Sequence, residues 1–288
     1  MASNILGILF DGLAYGSLLF LIGVGLSITM GLMNFINLAH GTFAMAGGYI
    51  SASLSQKSGM PFLATLPVAF VGAGLFGLVA ERLLFRRLYK APHLDQVLFT
   101  FGFVLSSIAA AHYFFGAGQQ MGVMPSFLQG QIRVYGIDLG RYRLLLIAFV
   151  GLITLALHLI LSKTRFGAQV RAAVDNQDAA AGLGINVGLI FSLCFALGTG
   201  LAGLGGALGI EVLGLDPGFP LKYMVYFLLV VVVGGAGTIR GPLIAAMILG
   251  VFDVAGKYYV PQAGAFIIYV LMIVLLLAFP TGLGGKRA

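Results

Sequence analysis

The chain has 288 residues, of which 60% are apolar and only 9% charged, with a mean hydropathy of +1.04. Soluble domains carry about 25% charged residues, so 16 Lys plus Arg and 9 Asp plus Glu cannot cover a water-facing surface. A soluble globule is excluded, and most of the outer face must meet lipid. The net charge of +7 is spread over several loops, as the positive-inside rule requires, rather than gathered on a nucleic-acid-binding face, and no nucleic-acid partner is expected.

A span takes about 20 apolar residues. Apolar runs fall near 5–33, 35–54, 61–80, 96–115, 143–161, 187–210, 223–235, 241–256 and 265–279. The expected fold is all-α, one polytopic membrane helix bundle of about eight or nine spans over residues 1–288, because lipid-facing backbone must satisfy its own hydrogen bonds. The first run lacks a basic start and is too long for a cleaved leader, so it reads as a retained span.

Arg82, Arg86, Arg87 and Lys90 in loop 81–95, Lys163, Arg165 and Arg171 in loop 162–186, and Lys286-Arg287 in the tail place these three segments on the cytoplasmic side of a cytoplasmic (inner) membrane. The beginning of the chain stays open. If 5–33 and 35–54 both cross, there are nine spans and an outer N-terminus. If 35–54 is a broken or re-entrant helix, there are eight and an inner one.

In chain order, the first candidate site is NFINLAHGT. It sets Asn34, Asn37, His40 and Thr42 among apolar neighbours. Uncharged polar groups at membrane depth suit passing contacts with a zwitterionic solute or, alternatively, hydrogen bonds between helices. Gly72, Gly74 and Gly77, and the series from Gly198 to Gly209, read as close helix approach. Asp11, Asp253 and Lys257 are expected near span ends, where charge costs little, leaving no proton relay.

Outer loops 116–142 and 211–222 carry Arg133, Asp138, Arg141, Glu211, Asp216 and Lys222, mixed charges suited to docking a soluble protein. In loop 162–186, Arg171 to Ala181 is expected to form one Ala-rich helix ended by Gly182 and Gly184. As a docking element, the helix would put Asp175 and Asp178 on one face, and Ala172, Ala173, Ala179 and Ala180 would let it sit deep in a cytoplasmic partner; the alternative is a solvated connector.

VVVVGGAGTIRG, residues 230–241, has a GxGxxxG spacing but no βαβ unit to hold a dinucleotide, so it reads as a broken helix before Pro242. No GxxxxGK[ST], HExxH or GxSxG occurs. Neither an enzymatic nor a metal site is expected, and the lone Cys194 reads as packing.

Together GLMNFINLAHG at 31–41, TRFGAQVRAAVDNQDAAAGLGIN at 164–186, VVVVGGAGTIRGP at 230–242 and FPTGL at 279–283 resemble the permease subunits of ABC importers for branched-chain amino acids, the high-affinity hydrophobic amino acid uptake class. The resemblance implies a permease without an ATP site of its own. It would work with a second homologous permease, two cytoplasmic ATPases that use ATP, and an extracytoplasmic solute-binding protein. It places Arg171, Asp175, Ala179, Gly184 and Ile185 in the loop coupled to the ATPase, and Asn37, Ala39, His40 and Gly41 near the pathway. Other amino acids, urea or short amides remain alternative solutes, and an ATP-independent carrier or channel is the alternative class.

Overall fold

The computed structural model describes residues 2–33, 35–134, 137–262, 264–279 and 282–284. Its helices are α1 (Ala2–Met33), α2 (His40–Ser58), α3 (Phe62–Leu83), α4 (His93–Phe115), α5 (Arg141–Lys163), α6 (Arg165–Asp175), α7 (Gln177–Gly182), α8 (Val187–Leu213), α9 (Phe219–Gly234), α10 (Arg240–Tyr259) and α11 (Gly264–Ala278). Six of them, α1, α3, α4, α5, α8 and α10, are long and apolar enough to cross a membrane, and α9 and α11 supply shorter apolar helices. The protein is a polytopic helical membrane protein. A small antiparallel hairpin, β1 (Gln131–Val134) and β2 (Ile137–Gly140), stands in the connection from α4 to α5, where the sequence reading placed only loop.

α8 runs through the centre, packed on α1, α2 and α3. Small residues make this possible, because lipid gives helices no hydrophobic reason to associate and close backbone contact must supply the attraction. A Cβ on Gly206 would stand 1.8 Å from the Ala44 carbonyl oxygen, and one on Gly47 would stand 2.2 Å from that of Gly203. α2 and α8 therefore cross at a distance that only glycine allows.

The packing plan occurs twice, inverted. α3 runs antiparallel along α8, with Glu81 bonded to Ser192 and Gly200 against Phe70. α10 runs antiparallel along α1 in the same manner, with Gly12 against Val251 and Gly16 against Ala246. After α1 the chain breaks and resumes as α2; after α8 it breaks at Gly214–Gly218 and resumes as α9. The two units, α1–α3 and α8–α10, meet where Gly25 touches Gly198.

One end of the bundle gathers residues 84–92, 164–186 and 235–239: Arg86 reaches Gly188, Tyr89 packs on Phe191, and Gly237 donates to the Ser27 carbonyl at 2.9 Å. Leu283 and Gly284 return there, donating to Val233 and Gly234. Lys286 and Arg287, like Pro280 and Thr281 of FPTGL, lie outside the described residues. The opposite end gathers the α2–α3 turn, the hairpin connection and residues 214–218. There Gln56 donates to Met121 O, and Gln120 pairs with Leu215.

The glycine-rich stretch after α9 is the broken helix its sequence promised. α9 ends at Gly234, Gly235 and Gly237 take left-handed φ of 87° and 80°, and α10 begins two residues before Pro242.

Candidate functional site

α1 ends at Met33 and α2 starts at His40, with Phe35 to Asn37 outside any helix, Phe35 and Asn37 buried and Ile36 half-buried. Backbone freed there must find partners or it costs several kcal/mol at membrane depth. α4 provides them. Ile36 N donates to Gln96 Oε1 at 3.1 Å and Leu38 N to Thr100 Oγ1 at 3.4 Å, while Thr42 Oγ1 and Ser107 Oγ bond at 2.9 Å. Gln96 and Thr100 are themselves sealed, Gln96 donating to Leu88 O and Ala91 O.

Two buried polar atoms are left over. Asn37 Oδ1 accepts from Ala39 N at 3.0 Å, which leaves its Nδ2 donor without a partner. His40 Nε2 meets the Ile22 carbonyl at 2.9 Å, and because a carbonyl only accepts, Nε2 carries the proton. The neutral ring then leaves Nδ1 as an unpaired acceptor. One donor and one acceptor thus stand three residues apart at the start of α2. The start of α9 adjoins them, since a Cβ on Gly41 would lie 3.1 Å from Pro220 Cα. Two helix N-termini, each the positive end of its dipole, meet in the interior.

Beside this segment a cavity of about 750 Å³ opens among α2, α3 and α4, lined by Thr42, Met45, Tyr49, Phe76, Phe103 and Ser107 among others. Its walls are almost wholly apolar. Of the expected residues Thr42 lines it, while Asn37 and His40, 1% and 2% exposed, do not. Asn34 lies outside the described residues.

Sequence reasoning missed Gln96, Thr100 and Ser107. Their spacing of four and seven residues marks one polar stripe on an otherwise apolar helix, and that signal was available. It also missed Glu81, which looked like one charge of a basic loop. Glu81 is 1% exposed and takes the Tyr89 hydroxyl and the Ser192 hydroxyl, each at 2.7 Å. It pins the 84–92 connection to the start of α8. Burial first, and then the bonded Glu81 carboxylate, push the Tyr89 phenol above its ordinary value.

The loop expected to be one helix from Arg171 to Ala181 is two. α6 and α7 are separated at Asn176 (φ −158°, ψ 108°), whose side chain accepts from Ala179 N at 2.9 Å. An Asn that caps the next helix has left the previous one. Asp175 closes α6 and Asp178 opens α7, so the two do not share a helical face as expected. Ala173 and Ala180 turn inward and are buried, so they are not available to a partner as expected, while Ala172 is half-buried and Ala179 exposed. Arg171 donates to Leu161 O, tying α6 to the end of α5. Asp175, Asp178, Val174 and Leu183 face outward. Gly184 has φ +83° and, with Ile185, closes α7 through bonds to Ala181 O and Ala180 O.

At the opposite end, Arg133 and Asp138 face each other across the hairpin at 3.7 Å and remain exposed. Arg141, Glu211 and Lys222 are exposed. Asp216 is half-buried and accepts from Gly218 N at 2.8 Å, so it serves the turn before α9.

Among the described residues the charges form no continuous relay: part-buried Asp11 pairs with Arg143, buried Asp253 with Lys257 at 2.5 Å, and buried Glu81 takes only hydroxyl donors. Asp253 is 1% exposed, six residues short of the end of α10, rather than interfacial as expected. Among the described residues no three His, Cys, Asp or Glu side chains gather as a metal site.

The comparisons with known proteins agree with this architecture. The family model described as "Branched-chain amino acid transport system / permease component" matches residues 8–276. The high-affinity branched-chain amino acid transport system permease protein BraD of Pseudomonas aeruginosa is 26% identical, over 96% of this chain and 95% of its own length. The corresponding protein LivH of Escherichia coli K12 is 26% identical over 96% and 94%. A probable branched-chain amino acid transport permease protein LivH of Methanocaldococcus jannaschii is 28% identical over 96% and 92%. No solved structure matches. With a family model spanning nearly its whole length, and relatives aligned end to end, the chain belongs to the branched-chain amino acid transport permease family.

Proposed function

We propose that this chain is the membrane-spanning permease subunit of an ATP-driven importer for branched-chain amino acids, and that the break before α2 is part of the solute's path. The observation that carries the reading is the pair of unsatisfied atoms at that break. Asn37 Nδ2 is a donor and His40 Nδ1 an acceptor, complementary to the carboxylate and ammonium of a zwitterion. The apolar cavity beside them is complementary to an aliphatic side chain. The two buried acids stand apart, Glu81 bonded to two hydroxyls and Asp253 paired with Lys257, and this lack of a continuous acid chain among the described residues supports ATP rather than a proton gradient as the energy source.

The remaining organisation follows. Among the described residues nine segments run between the two ends of the bundle: α1, residues 35–58, α3, α4, α5, α8, α9, α10 and α11. With the end bearing Arg82, Arg86, Arg87, Arg165 and Arg171 facing the cytoplasm, the N-terminus is outside and the C-terminus inside. One permease domain then offers the α6–α7 pair to two cytoplasmic ATPases and the hairpin end to a solute-binding protein. A second homologous permease completes the membrane unit.

Uptake of labelled leucine into vesicles holding the complete transporter tests this. Uptake that needs internal ATP and survives a protonophore is expected. Uptake that persists without ATP and stops with the protonophore would establish a secondary carrier instead.

A further inference from the structure

A second cavity, about 500 Å³, lies between α1, α5 and α10, and no residue of the broken segment lines it. Its floor and walls include Leu13, Ile147, Val150, Leu243 and Met247. The two hydroxyls on its wall are already spent: Ser17 donates to Leu13 O at 2.8 Å and Thr154 to Val150 O at 2.7 Å, each within its own helix. The groove therefore offers hydrocarbon and nothing to a polar solute. From Ile147 to His158 along α5 is eleven residues, about 16 Å at a rise of about 1.5 Å per residue, and that is the depth of one leaflet of a hydrocarbon core about 30 Å thick.

Charge appears only at the mouth. Arg240, the first residue of α10, and His158, five residues before α5 ends, line the groove there, and both are exposed. Arg240 makes no ion pair among the described residues. It also stands at a helix N-terminus that has no side-chain cap, where the dipole adds to its positive field.

The geometry points to a binding site for an anionic phospholipid, with an acyl chain along the groove and the headgroup phosphate on Arg240. A second copy of the chain is a poorer occupant, because an apolar ridge would leave Arg240 unanswered and this protein has a net charge of +7. A zwitterionic lipid fits the groove but offers the cation a headgroup of no net charge. The site is independent of the solute path and stands or falls without it.

The full chain, purified with the subunits that accompany it, can be stripped by detergent washing and reloaded from mixed micelles of phosphatidylglycerol or phosphatidylcholine. Bound lipids are then counted by native mass spectrometry. Retention of phosphatidylglycerol over phosphatidylcholine is expected. Arg240→Gln should lower phosphatidylglycerol retention about fivefold, the weight of one cation at a membrane surface. Gly151→Phe tests the groove by itself. Gly151 lines it, and a Cβ there meets nothing within 4 Å, so the ring fills the groove without disturbing the core; retention of the lipid should be lost while the melting temperature in detergent is kept. Equal retention of both lipids by the wild type, or wild-type retention of phosphatidylglycerol in either variant, would overturn the proposal. So would an unchanged lipid count in the Gly151→Phe protein accompanied by loss of a second permease, which would make the groove a subunit interface.

Discussion

Replacing Gly184 by Val isolates one property of the loop between α5 and α8. The residue has φ +83°, and a Cβ placed there meets nothing within 4 Å. The substitution therefore acts through the backbone alone. A left-handed conformation costs an L-residue about 1–2 kcal/mol, and a β-branched side chain lies at the upper end of that range. About 2 kcal/mol shifts a local equilibrium roughly 30-fold, against a total stability of about 5–15 kcal/mol for a typical domain. The bundle should stay inserted while the turn that ends α7 opens. That turn rests on Gly184 N to Ala181 O at 2.9 Å and Ile185 N to Ala180 O at 3.1 Å, and it sets the direction of α7 relative to α8. If α6 and α7 form the ATPase contact, Gly184→Val should reduce the amount of ATPase co-purifying with the permease and abolish ATP-dependent uptake. Gly184→Asn, with a side chain that tolerates this conformation, should keep most of both. Gly182→Val is the matched control, because Gly182 also meets nothing and has an ordinary φ. Equal ATPase retention and uptake in the two Val variants would refute the reasoning and move the contact to the 84–92 connection.

Three further outcomes follow from the same geometry. Asn37→Ala and His40→Ala should each lower uptake while the complex still assembles, since each removes one local bond, to Ala39 N or to the Ile22 carbonyl, at about 1–3 kcal/mol against a typical stability of about 5–15 kcal/mol; failed assembly on size-exclusion chromatography would show that the segment only ties helices together. Gly206→Val, which drives a side chain into the Ala44 carbonyl, should destabilise the α2–α8 crossing by about 3 kcal/mol or more, read as a lower thermal midpoint in detergent, whereas a wild-type midpoint would mean that the helices are not in close contact. Charge reversal at Arg141 or Glu211 should weaken ATP hydrolysis stimulated by the solute-binding protein, more at low salt than at high, and unchanged stimulation at both positions would make these loops solvated connectors.

The long helices were legible because apolar length is a local quantity. The runs 61–80, 96–115, 143–161 and 187–210 became α3, α4, α5 and α8 with ends shifted by a few residues. The break between α1 and α2 was half legible. Four polar residues in an apolar run announce a cost, but sequence does not say whether the cost is met by bending the helix or by bonding across it. Here both happen, and the bonds come from Gln96, Thr100 and Ser107, about 60 residues away. The split of the helix expected from Arg171 to Ala181 was local and was overlooked: Asn176 favours a cap over a helix interior, and counting alanines concealed it. The hairpin at 131–140 was also local, with Ile132 and Val134 alternating around Arg133.

Glu81 marks the boundary of what a linear reading can reach. Beside Arg82 and ahead of Arg86 and Arg87 it has every appearance of a loop charge, and nothing within four residues reveals that it is buried. Its partners are a phenol eight residues on and a hydroxyl 111 residues on, brought together only because α3 and α8 run antiparallel at glycine distance. The cost of sealing a carboxyl group there is offset in part because each of its two oxygens accepts one hydroxyl donor. The inverted packing plan is what makes such meetings possible, since it lays the end of α3 beside the start of α8 just where the α6–α7 pair re-enters the bundle. A displacement of α7 thus bears on α8 first, and through Ser192 and Glu81 on the Tyr89 connection and α3. The α6–α7 pair and the packed interior are joined by residues whose roles no motif marks, because their roles are created by the fold.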